Sequence, residues 1–152
     1  MTYQNLLDEV SKQIASWGDT IEGPISRKEL NKLNSDILVN YCIPLPDGFI
    51  EFLNIKNGLE FNGLIIFGSK NTTAGEPFKS ELLEANITFH EVESYDLKKL
   101  LLIGETSSSV LTYDHNSSSY QLRDRIALDR LEEFSTFKEL LAGELEKVIS
   151  NT

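Results

Sequence analysis

Apolar residues recur at helical spacing near both ends of the chain and at strand spacing between them. Tyr3, Leu6, Leu7, Val10, Ile14 and Trp17 fall on one face of a helix over residues 2–17. Asp8, Glu9, Lys12 and Gln13 lie largely on the other face, and Gly18 stops the helix. Residues 18–24 read as a loop. Ser26 opens a second helix through a capping box with Glu29, and Ile25 and Leu30 are spaced for a hydrophobic staple. Leu30, Leu33 and Ile37 continue its buried face.

Residues 43–68, IPLPDGFIEFLNIKNGLEFNGLIIFG, hold the densest local signals. Pro46 suits the first position of a helix, where its missing N–H costs nothing. Asp47 follows in the first turn, at the positive end of the helix dipole. Phe49, Phe52 and Leu53 share a face, Gly48 is a liability of about 1 kcal/mol relative to alanine, and Asn57-Gly58 supplies a helix stop. Residues 64–67 read as a short buried strand. Residues 68–77 form a surface loop; Lys70 follows serine, so the spacing of a phosphate loop is absent.

Residues 78–85 read as a short helix or turn and residues 87–92 as a strand. Three further strands are expected at 100–103, 110–113 and 120–126, the last two joined by the turn formers of residues 114–119, DHNSSS. A final helix begins near Thr136 with Glu139 placed for a second capping box. Its buried face is Phe137, Leu140, Leu141, Leu145 and Val148. The pattern is that of a single α+β domain over residues 1–152.

Charge sharpens this picture. Twenty-four Asp and Glu against fourteen Lys and Arg leave a formal charge of −10. Such a chain is poorly suited to neutralise phosphates, which argues against nucleic-acid binding. It suits a basic protein partner, whose encounter the acidic surface would accelerate. Acidity that merely aids solubility is the plainer alternative. Cys42, the one cysteine, has apolar neighbours and is expected to be a buried structural thiol. The N-terminus has neither a basic start nor an apolar core, and no run approaches the roughly 20 apolar residues of a membrane span, so a cytoplasmic protein is expected.

The residues that invite a catalytic reading do not converge in the sequence. On a strand, His90 would face away from Glu91 and Glu93. Asp114, His115 and Ser117–Ser119 contain the residue types of a hydrolase triad, but as neighbours in one turn. Residues 104–109 lack a nucleophile elbow. No residue pattern favours an enzyme.

Several of these signals, in this order, resemble the SUKH superfamily of bacterial immunity proteins and their eukaryotic relatives. The resemblance begins with Leu45, Pro46, Phe49, Phe52, Leu53, Asn57 and Gly58, followed by a strand running from Leu64 to Gly68. It continues with the strand end Leu111, Tyr113, Asp114 and with Phe134 and Phe137 leading into the last helix. This chain has one glycine, Gly58, where the family has a glycine-rich connection. The resemblance implies a curved, mostly antiparallel sheet flanked by N- and C-terminal helices. It implies an architectural role for the motif positions and no catalytic residue, cofactor or metal. It also implies a cognate partner: the toxin domain, often a nuclease, of a secreted polymorphic toxin. A regulatory or scaffold module of the same fold is the alternative. The acidic candidates for contact with a basic toxin are Glu76, Glu81 and Glu84 in one stretch, and Glu91, Glu93 and Asp96 in the next.

Overall fold

The two helical stripes at the chain ends pack against one another, and both lie with an antiparallel sheet built from the middle of the chain. The computed structural model describes residues 2–18, 23–69, 72–73, 76–77, 81–91 and 99–150. Helix α1 spans Tyr3–Ser16, α2 Arg27–Tyr41, α3 Asp47–Leu53, α4 Leu82–Phe89 and α5 Phe137–Ser150. The strands are β1 Leu59–Phe61, β2 Leu64–Ile66, β3 Thr72–Thr73, β4 Glu76–Pro77, β5 Leu100–Glu105, β6 Ser109–Asp114, β7 Ser119–Asp124 and β8 Arg130–Phe134. Six strands form one sheet in the order β1-β2-β5-β6-β7-β8, every neighbouring pair antiparallel, and β3 pairs with β4 separately.

The caps set the helices as their chemistry requires. Thr2 caps α1 through Asn5 N–H. Ser26 Oγ accepts from Glu29 N–H at 3.1 Å and donates to Glu29 Oε1 at 3.0 Å. Thr136 Oγ1 accepts from Glu139 N–H at the start of α5. Gly18 follows α1 at φ +79°, a left-handed conformation open to glycine at little cost. Pro46 stands one position earlier than expected, as the N-cap of α3, where its carbonyl accepts from Phe49 and Ile50.

One apolar core runs between these layers. Phe137 at the start of α5 meets Phe49 and Phe52 of α3, with ring centroids 5.5 and 5.3 Å apart. Gly48 is not the liability its helix propensity suggests. A Cβ there would lie 3.1 Å from Phe137 Cβ, so the bare glycine lets α3 approach α5. Trp17 is half-exposed, yet stacks flat on the buried Phe61 at 5.5 Å and closes the core beside β1.

Several expectations are corrected. Residues 87–89 belong to α4, not to a strand, because Leu82 and Asn86 carry a helical inward face into that region; residues 92–98 lie outside those described. Strand β7 ends at Asp124, where Asp124 Oδ2 accepts from the Ile126 and Ala127 N–H groups and turns the chain. The chain then returns as β8, whose largely exposed residues gave no hydrophobic signal. Asn57-Gly58 does not end α3, which stops at Leu53 with Asn54 as its cap. Cys42 is exposed: it caps α2 in the left-handed conformation, φ 57°, which turns it out of the core despite apolar neighbours. Strand β1 was not anticipated, although the two-residue Asn62-Gly63 turn joining it to β2, at φ 48° and 86°, is a strong hairpin signal.

Candidate functional site

Glu81 and Glu84 come together with α2. Glu81 is the N-cap residue of α4 and Glu84 lies in its first turn. Burial and then the neighbouring Glu84 raise the Glu81 carboxyl above its ordinary range; Lys32 draws it back and Asp36 adds to the rise. Lys32 is held by Asp36 at 2.9 Å, an exposed pair on successive turns of α2. The result is an acidic corner made of two helices. Glu91 lies exposed beyond the other end of α4, Glu76 sits on β4, and Glu93 and Asp96 fall outside the described residues. The acidic candidates thus do not form one continuous set among the described residues.

Helix α4 is held there by Asn86, which the sequence does not mark, and by His90, which caps the helix and does not lie on a strand. Strand β2 pairs with β5 at Gly104 and Glu105, and Phe67 N–H reaches the Ile103 carbonyl; beyond that point β2 no longer covers the edge of β5. Fully buried Asn86 fills the place of the missing strand. Its Nδ2 donates to the Leu102 carbonyl at 2.8 Å and to Leu82, and its Oδ1 accepts from Leu102 N–H at 2.8 Å. One turn on, His90 Nε2 donates to the Leu100 carbonyl at 2.9 Å while its ring stacks on Tyr41. Burial lowers the His90 imidazole from its ordinary value, with the Leu100 bond opposing.

Besides Phe49 and Phe52 in the core, the motif positions fall in two further places. Asn57, Gly58 and Gly68 form a clamp between segments. Asn57 Nδ2 donates to Ser69 Oγ at 2.8 Å, Ser69 N–H returns a bond to Asn57 Oδ1, and Ser69 Oγ donates to Glu29 Oε2 at 2.8 Å. The cap of α2 is thereby joined to the end of β2. Gly68 has no room for a Cβ against the Asn57 carbonyl, and Gly58 stands at φ +96°.

Leu45, Pro46 and Tyr113 meet instead at a shallow groove of about 380 Å³. Residues 44–47 line it from the approach to α3, Tyr113, Ser118 and Tyr120 from the β6–β7 hairpin, and Ser135 from the lead-in to α5. Tyr113 and Tyr120 face one another across the β6–β7 ladder with ring centroids 5.1 Å apart. Asp114, next to Tyr113, shapes the hairpin: its Oδ1 accepts from Asn116 N–H at 2.9 Å and its Oδ2 from Gln121 Nε2 at 3.3 Å. That assignment leaves Asp114 and its neighbours as turn chemistry, with Ser117 and Ser119 hydrogen-bonded to one another.

Among the described residues no group of His, Cys, Asp and Glu is placed to hold a metal, and no helix is long and apolar enough to cross a membrane. No protein-family model matches the chain, and no curated protein matches it.

Proposed function

We propose that this chain is a SUKH-type immunity protein: a non-enzymatic, cytoplasmic binder that neutralises a cognate toxin domain with a basic surface, most simply a nuclease. The reading is supported by the motif order in the sequence and by an α+β fold with the sheet and flanking helices that the family has. The observation that carries the mechanism is the acidic corner at Glu81, Glu84 and Asp36. Burial first, and then repulsion from Glu84 and Asp36, raise the Glu81 carboxyl, and the exposed Lys32 stands among them. A cationic partner surface relieves that repulsion, which is the electrostatic complementarity that steers and orients protein association. A nuclease presents such a surface because it binds a polyanion.

The test is co-expression with the C-terminal domain of a secreted toxin encoded beside this chain, with growth as the readout and co-purification as the check. Rescue of growth with a stable complex is expected. Continued toxicity with no complex would refute the reading.

A further inference from the structure

The groove between α3 and the β6–β7 hairpin has features that packing does not account for. Tyr113 and Tyr120 are 9% and 5% exposed, so each side chain is at least nine-tenths buried. Among the described residues neither hydroxyl has a hydrogen-bond partner, and neither is sealed from solvent. Both side chains line the concavity, and the Tyr120 hydroxyl lies beside Gly48 at the start of α3. A buried tyrosine ordinarily finds a partner for its hydroxyl, and two neighbours that leave theirs unused at one groove present a ready pair of polar groups.

Among the described residues, the charged side chains that act on the Tyr120 hydroxyl are carboxylates. Asp47 lines the groove, and Glu51 stands one helical turn further along α3. Burial, Tyr113, Asp47 and Glu51, in that order, raise the Tyr120 phenol, so it stays protonated and offers both a donor and two acceptor lone pairs. Among the described residues Asp47 and Glu51 form no ion pair. Lys138 is directed elsewhere, its ammonium 5.7 Å over the ring of Tyr3.

We infer that this groove receives an arginine side chain of the protein partner, its guanidinium charge set against Asp47 and Glu51 and its N–H groups donating to the Tyr113 and Tyr120 hydroxyl oxygens. A guanidinium spreads five donors over a plane, which suits two hydroxyls and a carboxylate better than the compact ammonium of lysine does. The inference rests on the immunity reading for the partner's basic character, and it adds a contact on a motif-lined face apart from the acidic corner of α2 and α4.

The experiment uses the full chain and needs no toxin. Tyrosine ring resonances are followed by NMR during titration with N-acetyl-arginine amide, with the neutral N-acetyl-citrulline amide and with N-acetyl-lysine amide. Saturable shifts of Tyr113 and Tyr120 with the arginine probe, absent with citrulline and weaker with lysine, are expected. Asp47→Asn should weaken the arginine probe by about fivefold, the upper range for an exposed ion pair. Tyr120→Phe, which removes a hydroxyl that the fold does not use, should weaken it while leaving the melting temperature in place. No saturable shift, equal shifts with citrulline, tighter binding of lysine, or unchanged affinity in Asp47→Asn would overturn the assignment. A toxin complex that forms without these shifts removes the groove and keeps the immunity reading. Shifts without any toxin complex remove that reading and keep the groove.

Discussion

Single residues carry much of the specificity of this fold, and Asn86 is the clearest. It satisfies both backbone groups of Leu102 where no strand is available to do so. Asn86→Ala leaves a buried N–H and C=O unpaired, at roughly 1–3 kcal/mol for each group, so urea unfolding should show a loss of about 2–6 kcal/mol. Gly68→Ala should destabilise comparably or more, because the added Cβ meets backbone at Asn57 and cannot be relieved by a rotamer change. Glu144 gives a test with the opposite sign. It is 4% exposed, and burial raises its carboxyl despite the ion pair with Lys147 at 3.4 Å. The native state then binds that proton more readily than the unfolded chain, so stability falls as pH rises from about 4.5 through the native value. Glu144→Gln should melt higher than the parent at pH 7, and the gain should shrink towards pH 4. The capping residues Ser26, Glu29 and Thr136 were legible in the sequence because a cap is a local matter of three residues. Asn86 was not, since its partner lies sixteen residues away on a strand edge whose bareness depends on where β2 ends.

At the scale of elements, the amphipathic helices α1, α2 and α5 were legible because each is long enough for its period to show, and the strands β5 and β6 because they are apolar runs beside turn formers. Strand β8 was not, since its residues are mostly exposed and it is held by backbone pairing to β7. Arg130, Glu132 and Glu133 give that free edge charges that discourage pairing with another chain. Helix α4 misled in the other direction: Ile87 and Phe89 alternate like a strand, but the helix is fixed by Asn86 and His90 along β5. His90 makes this element sensitive to pH. Its folded state protonates at lower pH than the unfolded chain, so stability is full above about 6.5 and declines as pH falls through that value. In His90→Gln, which keeps a donor for Leu100, melting temperature should lose that component of its decline between pH 7 and pH 5. A difference profile that stays flat across that interval would mean that the imidazole is not held neutral against β5.

For the molecule as a whole, the charge of −10 was legible from composition, whereas its arrangement was not. The acidic corner needs α2 and α4 side by side, and the groove needs α3 to meet a hairpin more than sixty residues further along the chain. The motif positions read as architectural divide in the structure: Asn57, Gly58 and Gly68 brace segments, whereas Leu45, Pro46 and Tyr113 line an open concavity. The most direct measurement is titration calorimetry of the purified chain against the toxin domain proposed as its partner at low and high salt, for the parent and for Glu81→Lys/Glu84→Lys. A tight complex that weakens with salt, and weakens further by at least about tenfold in the charge-reversed variant, is the expected result. A chain that binds no toxin at either salt concentration, or a complex indifferent to both salt and charge reversal, would contradict neutralisation through an acidic face.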